Sequence, residues 1–220
     1  MTGKRRAVTE EQKEERRLAI LHAAETLFQA ADYNTISMSQ IAQTAGVAKG
    51  TVFLYFATKE ELFLAITGQA YSKFFAGLNK RLKSTIDAGK TCTTDDLVDI
   101  LQAVFGGDDA LLRLMGIVSI ILEHNIQYAT ALQFKSMLAH QVRSAGELLE
   151  EAIPSWGPGE GMAFLLKLQA LAIGFQHLSA PSPVVKKVIA GEGLEMFNIC
   201  FADYFFVTIR EVIKGIGARN

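Results

Sequence analysis

The sequence predicts an all-α protein of about nine helices, a three-helix helix-turn-helix head joined to a larger helical body. Three observations carry that expectation. Only 4 prolines occur in 220 residues, which leaves room for long helices, because proline removes a backbone donor and clashes with the preceding turn. Apolar residues recur at three- and four-residue spacing along most of the chain. No stretch alternates apolar and polar residues between turn signals, so no sheet is expected. Half of the residues are apolar, enough for a substantial core and against disorder over most of the chain.

Taken in order, residues 1–10 read as a flexible basic arm with Lys4, Arg5 and Arg6. From about Glu11 a helical stripe carries Ile20, Ala24, Leu27, Phe28 and Ala31, and Asp32, Tyr33 and Asn34 stop it. Ser37 caps a short helix with Ile41, Ala42 and Ala45, and Gly46 ends it in the left-handed conformation. A second short helix covers about 48–56. Thr58 to Glu61 forms a capping-box pattern, with Glu61 expected to reach back to the Thr58 amide. It opens a long helix with Leu62, Ile66, Ala70, Phe74, Leu78 and Leu82 inward. After a polar loop over 87–94, Thr93 or Thr94 caps a helix that ends at Gly106 and Gly107. Asp108 or Asp109 opens the next, over about 111–124. Another follows over about 128–153, broken by the stretch from Pro154 to Gly161. The last two, roughly 162–178 and 194–213, flank a loop with Pro181 and Pro183. The domains expected are the arm, a head over 11–57 and a body over 58–220.

Charge and cysteine content exclude several classes. The formal net charge is -1, so composition alone implies no nucleic-acid partner. Cys92 and Cys200 lie far apart and read as reduced thiols acting as small hydrophobes. The N-terminus lacks the apolar core of a signal peptide. The most apolar run, 114–122, is too short for the ~20 residues that cross a bilayer. A cytoplasmic protein without a membrane partner is expected. Nothing suggests a cofactor or a metal. The chain has no G-x-S-x-G, no H-E-x-x-H and no phosphate loop, and the glycines at 157, 159 and 161 follow no strand. Catalysis is therefore not expected.

Residues 37–56 carry the strongest signal. Two helices joined by a short turn pack steeply, which calls for a small residue on the first (Ala42), a turn residue tolerant of positive φ (Gly46) and an apolar plug (Val47). Val52 and Phe56, four apart, face inward, leaving Lys49, Thr51, Phe53 and Tyr55 for a major groove. Between Tyr33 and Lys59 there is no acid. A surface that meets phosphate needs such a local excess of positive charge, not a basic protein.

Residues 11 to about 65 resemble the DNA-binding head of the TetR/AcrR family of bacterial repressors. The resemblance rests on Ile41, Ala42, Ala45, Gly46, Val47, Lys49, Gly50, Thr51, Tyr55, Phe56 and the run from Thr58 to Leu62. It implies that Ser39, Lys49, Gly50, Thr51, Phe53 and Tyr55 touch double-stranded DNA, with Ser37 in the same set. Lys59 then holds a phosphate beside the positive end of its helix. Two departures stand out. Ala48 replaces the Ser or Thr frequent before the recognition helix, and Phe53 replaces a Tyr, so it contacts a thymine methyl or packs.

The last two helices are apolar nearly all round, which leaves each a second apolar face for a symmetry mate. Leu168, Phe175, Phe197, Phe201 and Phe205 are the interface candidates for a homodimer. For a pocket holding a small hydrophobic effector the candidates are Phe105, Arg113, Met115, His124, Phe134 and Met137. The same aromatic and methionine stripe also fits plain core. The function expected is a ligand-responsive regulator, a repressor released from a near-palindromic operator when the effector tilts the helix that starts at Lys59. The alternative is a helical small-molecule carrier, or a regulator of the same fold that needs no effector.

Overall fold

The computed structural model describes residues 9–106, 109–191 and 193–218, with Asp109 through its backbone only. These residues form ten α-helices, three single-turn 3-10 helices and no strand. The helices are α1 Glu10–Ala30, α2 Met38–Thr44, α3 Lys49–Tyr55, α4 Lys59–Asp87, α5 Thr94–Phe105, α6 Asp109–Val118, α7 Tyr128–Ala152, α8 Glu160–Ser179, α9 Pro183–Ile189 and α10 Phe201–Gly217. The 3-10 turns are Tyr33–Thr35, Leu122–His124 and Glu195–Phe197. All-α is thus the fold, with one α-helix more than the pattern suggested.

Local chemistry explains most boundaries. At the start of α1, the Gln12 amide donates to Thr9 Oγ1 and the Thr9 amide to Gln12 Oε1, both at 3.2 Å. Thr9 and Glu10, expected in the arm, therefore open a helix, while Lys4, Arg5 and Arg6 lie outside the described residues. Ser37 and Gln40 make the same reciprocal cap on α2, and Thr93 and Asp96 make it on α5. Gly46 ends α2 at φ +66°.

Three expectations are corrected. The helix over 111–124 stops at Val118 and resumes only as a 3-10 turn, since Ile117, Val118, Ile120 and Ile121 are β-branched and resist helix. The loop with two prolines holds α9, because Pro183 sits at the helix start where its missing amide costs nothing, and Ser182 caps it. The stretch 194–213 divides into a 3-10 turn and α10, with Cys200 extended between them. Asp108, one of two residues expected to open α6, lies outside the described residues.

α4 is the axis of the molecule, packing on α1, α5, α6 and α7; α8 covers α6 and α7, and α10 covers α5 and α8. One buried cluster runs from Ile20 in the head to Ile216 in α10, so head and body share a core. Phe63, fully buried on α4, meets the rings of Phe28 at 5.5 Å and Tyr33 at 4.9 Å edge-on. Where α7 meets the start of α8, a Cβ on Gly161 would lie 2.2 Å from the Gly146 carbonyl oxygen, so the backbones touch there because neither residue has a side chain.

The apolar faces of α8 and α10 are divided differently from the expectation. Leu168 and Phe205 face the chain's own core, at 2% and 0% exposure, and have no surface to offer a partner. Phe175 and Phe201 are half-buried, and Phe197 is exposed. Helices apolar all round carry no mark of which face turns inward; the packing of α5 and α7 against them settles it. Phe205, ringed by Phe105 at 5.3 Å, Phe206 at 5.1 Å and Phe201 at 4.7 Å, is expected to behave as core. Phe205→Ala should lower the free energy of unfolding by about 3–5 kcal/mol in urea titrations, while Leu54→Ala stays within about 0.5 kcal/mol.

Candidate nucleic-acid interface

α2 and α3 meet across the turn from Ala45 to Ala48. The Val47 amide donates to the Ala42 carbonyl at 3.0 Å, folding the chain back before α3 begins. Met38, Ile41 and Ala42 of α2, with Val52 of α3 and Phe56 just beyond it, are buried, with α2 packed between α1 and α3. That inward set leaves Ser37, Ser39, Lys49, Gly50 and Phe53 exposed, with Thr51 and Tyr55 half-buried between them. The predicted groove face is thus one continuous surface spanning the start of α2 and the outer side of α3. The Lys49 ammonium sits 6.0 Å from the centre of the Phe53 ring. Leu54, next to Phe53 on α3, is 84% exposed. Only its place on α3 relative to the inward Val52 and Phe56 hinted at this.

Ala48 caps α3 without a side-chain bond. The first amides of α3 are therefore not taken by a capping oxygen, and an anion at this end can accept from them. The sequence between Tyr33 and Lys59 itself contributes no carboxylate.

Lys59 differs from its expected role. Its Nζ donates to the carbonyls of Tyr33 at 2.8 Å and Ile36 at 2.9 Å, and lies 3.8 Å from the centre of the Tyr33 ring. Two of its three N–H donors are spent on the loop between α1 and α2, leaving one for a phosphate. Burial lowers its pKa from the ordinary lysine value. Its neighbour Glu60 accepts from the Tyr33 hydroxyl at 2.7 Å and from Asn125 Nδ2 at 3.1 Å. Burial alone would raise the Glu60 carboxyl; the bonds from Tyr33, its own amide and Asn125, with the Lys59 charge, outweigh it and hold the group below its usual value. Glu61 corrects the capping expectation. The Glu61 amide does donate to Thr58 Oγ1, but its carboxylate accepts from the Ala57 amide, not Thr58, and from the Gln127 amide and Thr130 Oγ1 of α7.

The pocket candidates separate. Phe134 and Met137 line an open cavity of about 400 Å³ with Leu64, Gly68 and Gln133, between α4 and α7, with Arg17 of α1 at its edge. Met115 lines a small void of about 20 Å³ with Tyr71, Phe74 and Phe75. The other three are placed elsewhere. Phe105 is core, packed on Phe74 and Phe205. His124 is exposed on its 3-10 turn. Arg113 reaches the head: it donates to the Ala31 carbonyl at 2.7 Å, lies 3.7 Å from the Asp32 carboxylate and stacks 4.2 Å over Phe28. Among the described residues no cluster fit to hold a metal occurs, and no helix is long and apolar enough to cross a membrane.

Comparison with known proteins places this geometry. Residues 20–66 match the profile of bacterial regulatory proteins, tetR family, and residues 69–220 that of a tetracyclin repressor-like C-terminal domain. The HTH-type transcriptional regulator YfiR of Bacillus subtilis is 30% identical over 98 residues, 44% of this chain and 48% of that protein. The HTH-type transcriptional activator FasR of Mycolicibacterium smegmatis is 33% identical over 75 residues, 34% of each. The match thus spans less than half the length of these two relatives. A solved structure from Streptomyces coelicolor A3(2), described as a possible TetR family transcriptional regulator, superposes with a TM-score of 0.60 at 18% identity, over 93% of this chain and 100% of that one. It is a likeness of fold alone.

The Tyr33–Glu60 bond gives a pH-dependent expectation. A carboxylate whose folded pKa is depressed stabilises above its unfolded value, about 4.3, and the gain vanishes as pH falls through the folded value. Tyr33→Phe should therefore cost about 1–2 kcal/mol at pH 7. The cost should shrink towards zero as Glu60 becomes protonated in acid, as read by urea unfolding along a pH series. A cost that stays constant with pH would show the bond is not charge-assisted.

Proposed function

Because the chain belongs to the TetR family of bacterial regulatory proteins, whose members are transcriptional regulators rather than enzymes, we propose that it binds a near-palindromic DNA operator as a homodimer and is released from it by a small apolar effector. The observation that carries this reading is the continuous, acid-free face of α2 and α3, with Lys49 exposed and the first amides of α3 open to an anion. An α-helix fits the major groove, and the phosphates flanking it favour such a surface. Ser37, Ser39, Gly50, Thr51, Phe53 and Tyr55 share that face and are the proposed contacts. Phe53, lacking a hydroxyl, and Leu54 suit the thymine methyl. Lys59 acts mainly by fixing the loop before α2, and so the placement of Ser37, with one N–H left for the backbone.

The dimer is supported by apolar residues that the chain leaves uncovered: Met162, Leu166 and Leu178 on α8, Val184 and Val188 on α9, and Phe197, Tyr204 and Val207 at or before α10. A patch of this kind marks an interface. Two copies joined by a two-fold axis set their recognition helices about 34–36 Å apart, one turn of DNA. An effector in the α4–α7 cavity bears on the same two helices that Glu61 ties together. It shifts operator affinity only by its preference between two orientations of the head. Repression is the simplest outcome where the operator overlaps a promoter.

Selection from a sequenced genomic fragment library at two salt concentrations tests the reading. A discrete palindromic site is expected; binding without a shared sequence would turn the assignment towards a carrier. With the site in hand, Lys49→Ala should weaken binding and flatten the salt slope by about one unit. Lys59→Ala should instead lose stability and affinity together, because it frees two carbonyls that fix the head.

A further inference from the structure

The last carbonyls of a helix have no partner within it, and α1 ends with nothing of its own to meet them. Its cap residue Ala31 runs on extended, at φ -146°, instead of turning into the left-handed conformation that closes such an end. Its last turn holds no basic residue. The body supplies what α1 lacks. Arg113 of α6 donates to the Ala31 carbonyl at 2.7 Å, and its guanidinium lies 4.2 Å from the centre of the Phe28 ring. A cation placed there also meets the partial negative charge of the helix end. The Asp32 carboxylate, exposed and 3.7 Å away, adds little. Phe28 is itself buried, edge-on to Phe63 of α4. The end of α1 is thus clamped between two elements of the body, α4 through Phe63 and α6 through Arg113.

Two anchors do more than one. Lys59 and Glu60 hold the Tyr33–Ile36 turn from the start of α4, and an attachment to one element alone leaves the head free to tilt about it. An anchor from a second element removes that tilt. α6 is seated on α8 as well as on α4. A Cβ on Gly116, three residues after Arg113, would lie 2.8 Å from His177 Nε2 of α8, so the two helices touch there through that ring. Leu178, the next residue, belongs to the uncovered apolar surface. Within one turn α6 therefore reaches both the head and the helix that would meet a second copy.

We propose that Arg113 is a positioning residue for operator recognition. It acts through α1, not on DNA: it fixes the tilt of the head on the body, and so the separation of the two recognition helices across the dimer. That tilt counts in both copies. The spacing between half-sites that the protein accepts is accordingly the property Arg113 controls. This assignment rests on the reading that the chain binds DNA as a homodimer.

The test uses the full chain and the palindromic site recovered from the fragment library, with its centre lengthened or shortened by one or two base pairs, beside a DNA carrying a single half-site. The wild type should favour one spacing. Arg113→Met keeps apolar contact with Phe28 but removes the donor and the charge, and should narrow the contrast between best and altered spacings about 2- to 30-fold. Its affinity for the single half-site should match the wild type's. Arg113→Lys, which keeps the charge but loses the planar fork and its stacking, should retain part of the contrast. A residue that only stabilises the fold would behave otherwise: the melting temperature would drop, and every spacing and the half-site would weaken alike. That result, or an Arg113→Met protein with the full wild-type contrast, would overturn the assignment and leave the dimer standing. Should Arg113→Met not fold, Arg113→Lys decides in the same way, full contrast counting against the assignment. A wild type indifferent to spacing would sink the dimer reading, and this assignment with it.

Discussion

Four consecutive side chains at the start of α4 hold the head on the body, and the orientation of everything before residue 57 depends on them. Lys59 grips the carbonyls of Tyr33 and Ile36, and Glu60 takes the Tyr33 hydroxyl on one oxygen and Asn125 on the other. Thr58 accepts from the Glu61 amide and donates to the Asn125 carbonyl, while Glu61 bridges Ala57 to Gln127 and Thr130. Each bond is individually modest. Together they are cooperative, because each partner is already held by another. Arg113 adds a second tie, from α6 to the end of α1. The polar knot sits over a continuous core, with Phe63 of α4 between Phe28 and Tyr33.

A joint built this way behaves as a lever rather than a flexible linker. The head has no free hinge between α3 and α4, since Ala57 and Thr58 are both bonded into the knot. Glu61 ties the turn after α3 to the start of α7, accepting from the Ala57 amide on one side and from Gln127 and Thr130 on the other. Cores and interfaces of packed side chains switch between discrete arrangements more readily than they deform. The cavity lined by Phe134 and Met137 lies along the same α4–α7 seam, as do the unpaired oxygens of Tyr71 and Gln141.

Much of the head was legible because its rules are local. Caps need particular side chains at fixed offsets, so Ser37, Gly46 and Thr58 could be placed without a structure. The inward spacing of Ile41, Ala42, Val52 and Phe56 set the outer face of α3 by elimination. The role of Lys59 was not legible. Its partners are carbonyls 26 and 23 positions back, and nothing in a carbonyl's sequence neighbourhood marks it as an acceptor. Arg113 was hidden for the same reason, its partner lying 82 residues away. The body candidates divided for want of a facing rule. Where α8 and α10 are apolar on all sides, Leu168 and Phe205 look no different from Met162 and Val207 until neighbouring helices take one side.

The sequence by itself determined the helices, most of their ends, and the acid-free face that begins at Ser37. Those follow from propensity, capping and periodicity, which act within a few residues. Tertiary structure alone decided that Lys59 fastens a loop, that Arg113 stacks on Phe28, and that Tyr71 is buried on α4 against Phe134. It also decided which half of each apolar helix stays at the surface. These are questions of which distant groups meet, and they are answered only when the helices pack into one core.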